Sequence, residues 1–486
     1  MPSIQSLGVG SGLDASSIIS QLLAIERQPL KRLQTAATEV QTQISAYGTV
    51  RAKVDTLGSA AEALAKPESW TQTTVNLNGS DALKVTASNS AEPVELDIAV
   101  TALAQRQSIA TSSFNSAATT VGNGTLTIEL GSWSANFADF EPQNPVSSVD
   151  IVIDSADTLT DIRDKINGAS AGVTASILTD ASGARLVLRS NDTGEENGFS
   201  VSANDGSLDA LVFNEASVAS RINSHQVGDP DPAPDYGFIG NLRGSNMQAT
   251  INGAPVSSAS NTLTNVLEGV TIQALKTTTS TAKVNIERDL AGMKSRVESF
   301  VSAYNDLMAY VKQQTAYNAE TKTAATLQGD RVAVGLQNTL RNSVTATTAA
   351  SSAFERLSAV GIELQPNGSL KTNGTKLDAA LQNLPEVAAL FSRNETGTSQ
   401  DGVARRLADL VDELTGAEGP VSTRQDSLRE RLKRNQTEQD KMNDRLALVE
   451  ARLQAQYTAL DTKMASLNGL SQYVSQQVKL LGSRSD

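Results

Sequence analysis

From Val421 to Asn468 the chain carries neither proline nor glycine. Over that run Leu428, Leu432, Asn435, Gln439, Met442, Leu446, Val449, Leu453, Gln456, Leu460, Lys463 and Leu467 alternate steps of four and three residues. This period places them on one stripe of a single long helix, the seam of a coiled coil. Such a helix cannot bury its own stripe, so the fold must supply a partner. Asn435, Gln439, Gln456 and Lys463 would weaken a plain dimeric zipper, which implies that the seam has other partners or stays exchangeable.

The amino-terminal end carries a second seam: Leu30, Leu33, Ala37, Val40, Ile44 and Tyr47. At Gly48 the register slips, and Tyr47, Val50, Val54, Leu57, Ala61 and Leu64 resume it one residue short. A slip of this kind is expected to overwind or hinge the helix. Asp14 fits the N-cap of a helix over Ala15 to Gln28, Pro29 the first turn of a new one, and Pro67 ends it. A third seam runs Leu290, Met293, Val297, Phe300, Tyr304, Leu307 and Val311. Two readings are open: a bundle within one chain, or a stalk of the first and last helices that neighbouring copies share. On the second, Leu30, Leu33, Val40, Ile44, Leu428, Leu432, Met442, Leu446, Val449, Leu453, Leu460 and Leu467 are the oligomer or filament interface.

Between Trp70 and about Glu287 the period becomes alternating, with strands such as "LKVTAS" and "VELDIAV" punctuated by Asn-Gly and Gly-Ser turns. Ser155 to Ser190 reads as a short helix followed by a hairpin. Leu159, Ile162 and Ile166 are the buried face of the helix, Gly168 its stop, and Asp180 to Gly183 the turn. Gln226 to Gly237 is a linker rich in proline and aspartate. The expected fold is α+β and multidomain: a helical coiled-coil leg formed by both termini, plus a discontinuous β-rich head with an inserted second β domain. The boundaries are a disordered or helical segment 1–28, leg helices 29–71, a first head domain 72–112 with 240–285, and its insertion 113–239. A helical leg domain 286–420 and a terminal coiled-coil helix 421–486 complete the chain.

Charge follows this division. Residues 75–290 hold 11 Lys and Arg against 25 Asp and Glu, a net of −14, whereas 421–486 carry +3. An acidic middle repels phosphate backbones, so nucleic acid is not an expected partner. Cysteine is absent, which removes disulfides, thiolate ligands and a cysteine nucleophile together. No stretch approaches the 18 or so apolar residues of a membrane-spanning helix, and the first thirty residues lack the pattern of a cleaved signal peptide.

Catalytic chemistry finds little support. Gly8, Gly10 and Gly12 suggest a phosphate loop, but Leu13 stands where a dinucleotide fingerprint needs its third glycine, and no strand precedes. His225, the single histidine, lies beside the linker; Asp229, Asp231 and Asp235 alternate like calcium ligands without the glycine and distal glutamate such a loop needs. No carboxylate pair stands out. An enzyme, a cofactor or a metal site is therefore not expected.

Four segments carry a resemblance: "GVGSGLDASSIISQLLAIERQPL", "TLTDIRDKINGASAGVTASILTDASGARLVLRS", "VSSASNTLTNVLEGVTI" from Val256 to Ile272, and "LSAVGIELQPNGSLKTNGTKLDAALQNLPEVAALF" from Leu357 to Phe391. Together they resemble the bacterial flagellar filament cap proteins, also called second hook-associated proteins; the second segment is similar to flagellins as well. The resemblance implies a ring of identical subunits, pentameric or hexameric, at the extracellular tip of the growing filament. It implies heads outward, helical legs downward, retention of exported flagellin and assistance to its folding. It implies export through the flagellar type III route without a cleaved signal, and a dedicated export chaperone. A ring that does not match the filament's symmetry requires legs that tolerate several environments. Two rivals remain, another axial component of the flagellum and a secreted adhesin whose exposed head binds host mucin or glycan.

Overall fold

The structure is a computed structural model describing residues 14–78, 81–134, 137–181, 183–218, 242–395 and 399–482. It divides into two compact units, Met1–Trp70 with Leu290–Asp486, and Thr71–Asp289. The Gln226–Gly237 linker, His225, and Asp229, Asp231 and Asp235 lie outside the described residues, as do Gly8, Gly10, Gly12 and Leu13.

Helix α1 spans Ala15–Glu26; the Asp14 carboxylate accepts the Ser17 N–H at 3.0 Å, so the N-cap stands where the sequence places it. Helix α2 spans Gln28–Ala65 with Pro29 in its first turn. It passes through Gly48 as one unbroken 38-residue helix, so the expected hinge is absent. The shift in register marks a change of partner instead. Upstream the stripe faces the terminal helix, whereas Tyr47, Val50, Val54, Leu57, Ala61 and Leu64 are buried in the core of the helical unit.

The second unit begins with β1 (Thr73–Asn78), β2 (Leu83–Ala87) and β3 (Val94–Ala102). An insertion follows: β4 (Ser108–Ala110), β5 (Gly124–Trp133), β6 (Phe140–Pro142), β7 (Ser148–Ile153), α3 (Leu159–Gly168), β8 (Val173–Asp180), β9 (Gly183–Ser190) and β10 (Gly198–Ala203). The first sheet domain then resumes with β11 (Met247–Ile251), β12 (Ala254–Ser258), β13 (Thr262–Leu267), β14 (Val270–Ala274) and β15 (Ala282–Arg288). Its strands form a sheet in the order β1-β15-β3-β11-β12 and another in the order β13-β14-β2. Alternation decides what they bury: Leu96, Ile98 and Val100 of β3 meet Val284 and Ile286 of β15 in one apolar core. Asn252 and Gly253, at φ of 50° and 80°, turn the β11–β12 hairpin.

The insertion has its own core. Leu159, Ile162 and Ile166 of α3, as the sequence predicts, pack with Leu126, Ile128, Leu186, Leu188 and Phe199. A reciprocal Thr158–Asp161 capping box starts α3. The sheets are β4-β9-β8, and β5 flanked by β10 on one side and by β6 and β7 on the other.

Back in the helical unit, α4 (Leu290–Thr315) buries the whole third seam from Met293 to Val311. After it come α5 (Arg331–Thr345), α6 (Gly374–Ala380), α7 (Leu384–Ser392), α8 (Val403–Thr415) and α9 (Pro420–Gly482). Two small hairpins that the helical reading of 286–420 omits, Tyr317–Asn318 with Thr323–Ala324 and Ile362–Leu364 with Leu370–Thr372, sit between them. Gly58 lets α2 and α8 approach closely, since a Cβ there would lie 2.6 Å from the Val411 Cγ1.

Four side-chain amides act as substitute strand neighbours. Gln107 with Phe199, Asn261 with Ala104, Asn305 with Leu370 and Asn167 with Ala175 each donate to the carbonyl and accept from the N–H of one residue, at 2.7–2.9 Å. A side-chain amide carries an N–H donor and a carbonyl acceptor on neighbouring atoms, like the peptide group it replaces, and without charge.

Candidate assembly surface on the terminal helices

Helix α9 leaves the core at a polar node. The Asp330 carboxylate caps α5 through the Val332 and Ala333 N–H groups, accepts the Tyr47 hydroxyl at 2.6 Å, and receives the Arg424 guanidinium at 2.9 Å. Burial pushes the Asp330 carboxyl up, but the Tyr47 hydroxyl, Arg424 and the Ala333 N–H outweigh it and hold it below the usual range. Burial first, then the facing carboxylate, pushes the Tyr47 hydroxyl well up.

From this node α9 runs antiparallel to α2. Arg424 stands by the residues around Tyr47, Asn435 donates to the Leu33 carbonyl at 3.1 Å, and Gln439 donates to Asn435 at 2.6 Å. Two of the four polar layers are thereby satisfied within the chain and fix the register of α9 on α2. Farther along, a groove of about 770 Å³ opens where α1 bends into α2, lined by Arg27, Leu30 and Lys31 on one side and Asn443, Leu446 and Glu450 on the other.

The interface candidates divide by position along this zipper. Val40, Leu428 and Leu446 are buried inside the chain; Leu30, Leu33, Ile44, Leu432, Met442, Val449 and Leu453 are half-buried along the same line. Leu460 and Leu467 lie beyond it and are exposed, at 42% and 58%. Sequence reasoning missed that the exposed stripe continues through Leu470, Tyr473, Val474 and Val478, all more than half exposed. Their three- and four-residue spacing is the signal, and Gly469, at the end of the glycine-free run, obscures it. Gln456 and Lys463 are exposed on the same length of α9.

Elsewhere the helical unit is tied by Glu386. Its carboxylate accepts from the Ser351 and Ser352 hydroxyls and the Ser352 and Ala353 N–H groups at 2.6–3.2 Å, and these bonds, the hydroxyls first, lower its pKa to about 2. A depressed carboxyl contributes stability that is present above its ordinary value and lost as pH falls toward the lowered one. Glu386→Gln is therefore expected to flatten the acid side of the helical unit's melting curve between pH 4.5 and 2, measured by circular dichroism. An unchanged acid slope would contradict it.

Among the described residues no helix is long and apolar enough to cross a membrane, and no group of three histidine or acidic side chains is placed to hold a metal ion. The site is a packing surface. Residues 11–107 and 244–469 match the family described as flagellar hook-associated protein 2, N-terminus and C-terminus, and 125–192 match the flagellin hook IN motif. The chain is 30% identical to flagellar hook-associated protein 2 of Escherichia coli K12 over 492 aligned residues, covering 98% of each.

The chain belongs to the flagellar hook-associated protein 2 family. Another family member, the A-type flagellar hook-associated protein 2 of Pseudomonas aeruginosa, is 29% identical over 98% of this chain and 97% of its own length. The crystal structure of the D1-D2-D3 domains of the flagellar cap protein FliD from Escherichia coli superposes with a TM-score of 0.58 at 26% identity, covering 79% of this chain and 99% of that one. The α+β multidomain class read from the sequence fits this architecture. The matched stretch 125–192 includes Ile166 and Asn167, the core residue and the clasp residue of α3.

Proposed function

We propose that this chain is a filament cap at the tip of a bacterial flagellum: a closed ring of copies, pentameric or hexameric, that retains exported flagellin and promotes its insertion. The observation that carries the reading is the exposed apolar stripe of α9 from Leu460 to Val478, beyond the part that zips onto α1 and α2. An apolar helix face of this length in water calls for neighbours. Leu460, Leu467 and the residues after them meet those neighbours, while Val40, Leu428 and Leu446 build the leg that presents them. Gln456 and Lys463 soften the stripe, so a leg can reseat as subunits are added. Heads 72–112 with 240–285, and their insertion, face outward. The absence of cysteine leaves no disulfide to lock the chain before export.

Removing residues 457–486, which spares Leu453, tests this. The shortened protein retains the Asp330 node and the Asn435–Gln439 layer, so it is expected to melt like the full chain. Electron micrographs should show closed rings for the full chain and single subunits for the shortened one, and a strain carrying only the shortened form should release flagellin monomer into the medium. Rings that persist without the stripe would overturn its role. Long helical polymers of the full chain would identify a different axial component.

A further inference from the structure

Helix α3 lies between two sheet edges that no other described strand covers. Strand β7 pairs only with β5, and on its outer side the Val152 carbonyl accepts from the Lys165 ammonium at 3.1 Å. Asp154, at 3.1 Å, and Asp157 hold that ammonium in place. Strand β8 pairs only with β9, and on its outer side both backbone groups of Ala175 are taken by the Asn167 amide. Ile166, between the two, is buried in the core. Consecutive helix positions are about 100° apart, so three residues in a row reach a surface on the left, the core in the middle and a surface on the right. Lys165, Ile166 and Asn167 do this.

An edge of unpaired N–H and C=O groups is a template for any strand of matching geometry. We propose that Lys165-Ile166-Asn167 is a closure that keeps β7 and β8 from pairing with the same strands of a second copy of this chain. The second copy is the relevant intruder because it presents an identical edge, and antiparallel self-pairing needs only a two-fold axis. On β8 the alternation of an antiparallel ladder turns Ile177 and Thr179 outward like Ala175. Leu178, between them, is 52% exposed. Pairing can start at this tip, and the clasp on Ala175 stops it after one step.

The natural chain has no cysteine, so a single Leu178→Cys reports contact between two β8 edges cleanly. Under mild oxidation the full chain with Leu178→Cys alone is expected to stay free of disulfide-linked dimers, whereas Leu178→Cys with Asn167→Leu should form them. Hydrogen exchange at the Ala175 amide should quicken about tenfold in the second protein, as its hydrogen bond is lost. Both proteins carry identical legs, so the comparison stands whether or not the chain caps a filament. If Asn167→Leu does not fold, Asn167→Ala, which removes both the donor and the acceptor, is read in the same way. Dimers in the single variant, or a folded double variant with no dimers and unchanged exchange, overturn the closure.

Discussion

Replacing Asp330 with alanine is expected to lower the stability of the helical unit by about 3 kcal/mol at neutral pH, the cost of breaking a mostly buried charge pair and a helix cap together. The Tyr47 hydroxyl, on a fully buried ring, loses its acceptor, Arg424 loses its carboxylate, and the first N–H groups of α5 lose their cap. Arg424 keeps a third of its side chain in water, which holds the loss below that of a sealed pair. Because the carboxyl titrates below its ordinary range in the folded chain, its contribution is present above that range and lost as pH falls through the lowered value. The gap between the natural protein and Asp330→Ala should therefore narrow on acidification. Urea unfolding followed by circular dichroism at pH 7 and at pH 3 measures both, and equal midpoints at pH 7 would refute the node.

Trp70→Ala is expected to cost as much or more, about 3–5 kcal/mol, the range for deleting a large buried aromatic side chain. The indole is 2% exposed, stacks on Phe391 at 5.1 Å between centroids, and donates at 2.8 Å to the Leu64 carbonyl in the last turn of α2. Deletion leaves a cavity beside α7 and a carbonyl without its partner. The two tryptophans make the result separable, since Trp133 is buried in the inserted core among Phe137, Phe140 and Phe213. In Trp70→Ala the remaining fluorescence reports Trp133 alone. Its unfolding midpoint should hold while the helical circular dichroism transition moves down; a joint shift would mean that the two units unfold together.

Whatever follows from period and local chemistry was legible in the sequence. The seams of α2, α4 and α9, the Asp14 cap and the α3–β8–β9 segment all depend on residues a few positions apart, where spacing alone selects the buried face. The slip at Gly48 was visible too, but its meaning was not, because a change of packing partner and a hinge leave the same trace in one strand of text. The small hairpins in 286–420 are too short to show a period. Two of the amide clasps were out of reach for a different reason: Gln107 meets Phe199 across 92 residues and Asn261 meets Ala104 across 157. For the site, spacing identified which residues share the stripe of α9. It did not indicate that Val40, Leu428 and Leu446 are buried while Leu460 and Leu467 are exposed, since that depends on how far the helices α1 and α2 run along α9.

The position of β15 has a kinetic consequence. It is the last strand of its unit in the chain, yet it lies between β1 and β3, pairing Thr73 with Arg288 on one side and Leu96 with Val284 on the other. Until residue 288 is available, β1 has no neighbour in that sheet. The helical core likewise waits for α8 and α9, whose residues meet those of α2 more than three hundred positions earlier. Of the three cores formed by the described residues, the inserted one, Ile109 to Val218, is the one built from a single stretch of chain. Distant partners slow folding because a long loop must close before any contact rewards it. A chain that emerges from its amino terminus therefore forms a small island in its middle first and remains open on both sides of that island, setting into its final shape only as its tail arrives.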